Sequence, residues 1–139
     1  MERPDFSGEW ILNRDASTLS PGADGMKGGV WLIEHREPEV HVKASFDTAE
    51  DPVQFEWALR TDAGEIVNTH EGVTMATSLQ WESNDLVVRW RIGRPEGEMT
   101  IAFRYELSDD RSRLTAKEQL RGTDHDQDNV WVFDRLPLP

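Results

Sequence analysis

Apolar residues recur at every second position along most of this chain, and a two-residue period is the signature of half-buried strands. Trp31, Ile33 and His35 share one face. Val40, Val42, Ala44 and Phe46 share the next, followed by Phe55, Trp57 and Leu59. The pattern continues through Val73, Met75, Thr77, Leu79 and Trp81, then Leu86, Val88, Trp90 and Ile92. The most regular set is Met99, Ile101, Phe103, Tyr105 and Leu107; Leu114, Ala116, Glu118 and Leu120 come next, then Val130 and Val132 opposite Trp131 and Phe133. With Trp10 and Leu12, and the short run from Ile66 to Thr69, ten strands are predicted.

Turn-forming clusters separate these runs: Glu37-Pro38-Glu39, Asp62-Ala63-Gly64, Glu71-Gly72, Ser83-Asn84-Asp85 and the segments 93–97, 108–112 and 122–129. Links this short hold no crossover helix, so successive strands are antiparallel neighbours. Closing such a meander removes its exposed edges. The fold class expected is therefore all-β, one closed up-and-down antiparallel barrel of eight to ten strands, with residues 1–139 as a single domain. One link breaks the rhythm: Asp15 to Gly29 is too long for a hairpin and reads as a candidate lid or a plain connection.

Composition narrows the chemistry. A net charge of −12 repels phosphate backbones and anionic headgroups, so nucleic acid is not an expected partner. The acidity reads first as solubility, with a halophilic source or a cationic partner as alternatives. The absence of cysteine removes disulfides, thiolate nucleophiles and Cys-based metal sites. The longest charge-free stretch, Gly72 to Trp81, is half of the ~20 residues a helical membrane span needs, so none is expected. Met1-Glu2-Arg3-Pro4-Asp5 lacks an apolar leader core; the expected location is the cytoplasm, or outside it if a secretion signal has been removed.

At Asp5-Phe6-Ser7-Gly8-Glu9-Trp10 the chain resembles the calycin superfamily, the lipocalins and fatty-acid-binding proteins, and within it small bacterial lipocalin-like proteins. The carriers of the resemblance are Gly-x-Trp on the first strand, a long loop after it, a run of hairpins and an Arg on the last strand. It implies a lipocalin-like barrel in which Trp10 closes one end and Arg135 packs across its indole. The last strand has no Arg-x-Tyr pair of the kind fatty-acid-binding proteins use for a ligand carboxylate.

A barrel of ten strands is wider than one of eight, whose side chains just fill it, so internal volume is expected. Trp31, Phe55, Trp57, Met75, Trp90, Phe103 and Tyr105 are the large residues assigned inward, either lining a cavity or filling it. His35 and Glu118 lie among apolar residues of their faces; if both point inward they are candidates for general acid and base, and otherwise they are paired or at a rim. His35, Tyr105, Glu118 or Arg104 would orient a ligand if any faces inward. No cofactor is expected. Asp124-His125-Asp126-Gln127-Asp128 starts like a calcium loop but has Asn129 at the sixth position and Arg135 at the twelfth, against Gly and Glu. His35 with His41 lacks a third zinc ligand, and His35, His70 and His125 have no haem motif around them. The function expected is binding of a small, mainly apolar molecule within the barrel, as carrier or sensor. The alternatives are an isomerase, cyclase or hydrolase using the cavity, and a filled barrel serving as a structural module. The reading favours binding over catalysis, and nothing in the sequence sets the oligomeric state.

Overall fold

The computed structural model describes residues 4–20, 26–48, 51–122 and 126–136. Ten strands follow in order: β1 (Gly8–Leu12), β2 (Gly28–Arg36), β3 (Glu39–Asp47), β4 (Val53–Arg60), β5 (Ile66–His70), β6 (Val73–Glu82), β7 (Asp85–Arg94), β8 (Gly97–Leu107), β9 (Arg113–Arg121) and β10 (Gln127–Arg135). No helix occurs among the described residues. Each alternating run of the sequence is a strand because only the pleat puts every second side chain on one face.

All pairings are antiparallel, and β10 returns to pair with β1, setting Trp10 opposite Arg135 and Leu12 opposite Phe133. The hydrogen-bonded order runs β4-β3-β2-β1-β10-β9-β8-β7-β6-β5. One seam interrupts it. β4 and β5 are consecutive in sequence but not bonded to each other, and β4 packs near β6 across the gap. The 61–65 link reads as a hairpin turn like the others, yet β5 is five residues long and exposed throughout, so it offers β4 little ladder or apolar surface.

Register carries one face around the whole sheet. Trp31 lies opposite Ala44, Ala44 opposite Phe55, Tyr105 opposite both Leu86 and Ala116, and Ala116 opposite Trp131. This inner face holds the core, whose densest part joins Phe6, Trp10, Trp31, Leu79, Leu86, Leu114 and Phe133 at the end where the β2–β3, β6–β7 and β8–β9 turns meet. We refer to that end as the base and the opposite end as the mouth.

The connection after β1 is fastened over its first part. Thr18 forms an isolated two-way bridge with Val130, and the Ser20 N–H donates to Asn129 Oδ1 at 2.7 Å. Leu19 and Met26 pack against the core. Asp124 and His125, the first two residues of the calcium-like run, lie outside the described residues; Asp128 pairs with Arg121 at 2.7 Å.

Candidate functional site

The base is sealed by a stack built on the N-terminal segment. Gly8 has φ +146°, a conformation side-chain-bearing residues rarely adopt, and it sits against the Arg135 guanidinium. Arg135 Cζ in turn lies 4.5 Å from the Trp10 ring centroid, within cation–π range. Trp10 is fully buried, and its indole N–H donates to the Phe6 carbonyl at 3.1 Å.

His35 belongs to this base. The Phe6 backbone N–H, which can only donate, reaches Nδ1 at 3.1 Å, so Nδ1 is the acceptor and the proton resides on Nε2. Nε2 donates to Glu37 Oε1 at 2.7 Å, and Glu37 also accepts from Trp81 Nε1 at 2.9 Å and the Thr61 hydroxyl at 2.8 Å. Partial burial pushes the Glu37 carboxyl up, but the hydrogen bonds from His35, Thr61 and Trp81 outweigh it and hold the group below its ordinary value. Both His35 nitrogens are therefore occupied in joining the β2–β3 turn to the base.

Glu118 lies elsewhere on the inner face, between Phe103 and Asn129 in register. Its Oε1 accepts from Asn129 Nδ2 and Trp131 Nε1, both at 3.0 Å. Among the described residues His35 and Glu118 share no partner: one ties the base, the other braces β9 against β10. Arg104 is on the outer face, bonded to Asp85 at 2.9 Å and to Glu82. His41 is also outward, against Glu56, while His35 points in, so the two do not face one another. His70 is exposed on β5 beside Glu71. No cluster of three metal-ligating side chains occurs among the described residues.

Between base and mouth the inner face is an aromatic wall containing all seven large residues assigned inward. Trp31 packs on Phe133 at 4.5 Å and Tyr105 at 5.7 Å between ring centroids, forming a buried floor. Above it Trp57 contacts Trp90 and Tyr105, and Phe103 stacks parallel to Tyr105 at 5.9 Å. Trp57, Trp90 and Phe103 are half-buried. Exposure then rises at the seam: Val53, Phe55, Ile66 and Met75 are 40–43% exposed although register turns every one of them inward. The inner face is thus open to solvent beside β4, β5 and β6. Two grooves on the outer face of β2–β4, about 380 and 580 Å³, do not reach Trp57, Trp90 or Tyr105.

Three polar groups of the wall stand out. The indole N–H groups of Trp31 and Trp57 are buried without an acceptor. Burial drives the Tyr105 phenol far above its ordinary value, and the negative charge of Glu118 adds to the shift. Trp57 approaches the Tyr105 oxygen closely enough to oppose that shift slightly, without reaching hydrogen-bond geometry. Asn129, Trp131 and Phe6 had no signal as site residues: Phe6 precedes the first alternating run, and the faces of β10 are chosen only by register.

No protein-family model matches the chain, and a comparison with curated proteins finds no match. Solved structures do match along nearly its whole length. Secretory abundant heat soluble protein 4 from Ramazzottius varieornatus is 13% identical, with a TM-score of 0.55 and 99% of each chain covered. The zebrafish ileal bile acid-binding protein in complex with cholic acid is 13% identical, with a TM-score of 0.58, covering 94% of this chain and 98% of that one. Human cRBP IV is 11% identical, with a TM-score of 0.56 and coverage of 96% and 99%. Identities this low speak for the fold alone: ten antiparallel strands in one up-and-down sheet, wrapped around an aromatic inner face, as in these neighbours.

Proposed function

We propose that this protein binds a small, mainly apolar molecule on the inner face of its barrel, acting as a carrier or sensor. The observation that carries the reading is the run of inward-facing but solvent-exposed Val53, Phe55, Ile66 and Met75, continuous with Trp57, Trp90 and Phe103. Apolar surface in a concave, open site gains about 25 cal/mol per Å² when a ligand removes it from water. The fold neighbour crystallised with cholic acid supports the same use of such a barrel.

The test is titration with a neutral environment-sensitive dye such as Nile red. Saturable 1:1 binding with a blue shift is expected. Met75→Glu, which places a charge on the inner face, should weaken it about tenfold, equivalent to ~1.4 kcal/mol. Val67→Glu is the control, because Val67 is 55% exposed on the outer face of the neighbouring strand. Non-saturable binding, or equal effects of the two substitutions, would refute the proposal.

A further inference from the structure

The polar groups of the inner face also select what kind of apolar molecule fits. Donors dominate beside the floor. Trp31 and Trp57 carry buried indole N–H groups with no acceptor, and both rings pack against Tyr105, at 5.7 and 6.4 Å. Buried donors are ordinarily paired, and an orphan marks a place where a partner is missing. Tyr105 is held as the neutral phenol, itself able to donate.

Among the described residues no cation bears on the Tyr105 phenol. Arg135 is committed to the Trp10 stack at the base, and both nitrogens of His35 are bonded there. The remaining inner-face charge near Tyr105 is the carboxylate of Glu118, whose Oε1 is held by Asn129 and Trp131. An anionic group lodged beside Tyr105 would meet the like charge of Glu118 in a low-dielectric surround.

We infer that the ligand is an uncharged molecule bearing a carbonyl-type acceptor, received between the Trp57 N–H and the Tyr105 hydroxyl with Trp31 as the flanking donor, and that carboxylates are rejected. This inference rests on the reading of the barrel as a binding protein. It is also separable from it, since an apolar site without polar selection would bind hydrocarbon, ketone and acid by area alone.

Three probes with one ring skeleton separate the cases in calorimetric titrations of the full chain: 2-acetylnaphthalene, 2-ethylnaphthalene and 2-naphthoate. The ketone should bind about tenfold tighter than the hydrocarbon, the size of one desolvated hydrogen bond, and the carboxylate weakest of all. Trp57→Phe and Tyr105→Phe should each bring the ratio of ketone to hydrocarbon affinity towards one, because the donor is lost while an aromatic ring remains. The ranking of the three probes on the unaltered protein decides the matter even if a variant fails to fold. Equal affinity for ketone and hydrocarbon, or carboxylate binding as tight as ketone, overturns the selection while leaving the binding function standing. Failure of all three to bind overturns both.

Discussion

Tyr105 is the chain's only tyrosine, so its ionisation can be followed without interference. Its phenol is raised well above the ordinary 10.0 by burial and then by Glu118. Above about pH 10 an unfolded tyrosine loses its proton while the native one keeps it; the unfolded state then binds fewer protons, and stability falls as pH rises. Tyrosinate absorbance should consequently appear only together with unfolding, and Tyr105→Phe should remove part of the alkaline loss in Tm. Reversible tyrosinate formation near pH 10 in protein that remains folded would show a solvated phenol instead. At the base, Arg135→Ala removes the guanidinium over Trp10, and a loss of ~0.5–2 kcal/mol is expected, read as a lower Tm with altered Trp emission. An unchanged Tm and spectrum would mean the stack contributes nothing. The Gly-x-Trp run and the late Arg were legible in the sequence as residues; their contact depended on register between the first and last strands, which no local pattern encodes.

The strands were the most legible elements, because alternation is local and most of the ten runs have it. The seam was not legible. The 61–65 link has the same Asp and Gly chemistry as true hairpin turns, and only the shortness and exposure of β5 distinguish it. Likewise the two faces of β10 both carry apolar residues, Val130 and Val132 against Trp131 and Phe133, so pairing with β9 had to choose between them. Where elements come closest, sequence tolerance is lowest. Gly122, at the end of β9, has φ +89°, and a Cβ there would lie 2.2 Å from the Glu98 carbonyl oxygen at the start of β8. Gly122→Ala should therefore destabilise by ~1–3 kcal/mol, since both the backbone conformation and the close approach oppose it. Denaturant unfolding would measure it; a midpoint within error of the parent would contradict the contact.

Across the whole molecule the two ends of the barrel divide the work. The base is dense and tied by Phe6, Trp10, His35 and Arg135, whereas the inner face towards the seam leaves apolar side chains in water. A net charge of −12 opposes association of copies through that exposed strip. The central claim is that a ligand enters this inner face, and the six indole N–H resonances in a two-dimensional amide NMR spectrum test it most directly. On saturation with a neutral apolar ligand such as 2-acetylnaphthalene, the Trp57 and Trp90 signals should shift along a common binding isotherm, while that of Trp10, buried in the base, stays in place. Shifts confined to amides of the outer-face grooves on β2–β4, or no saturable shift at Trp57 and Trp90, would contradict the account.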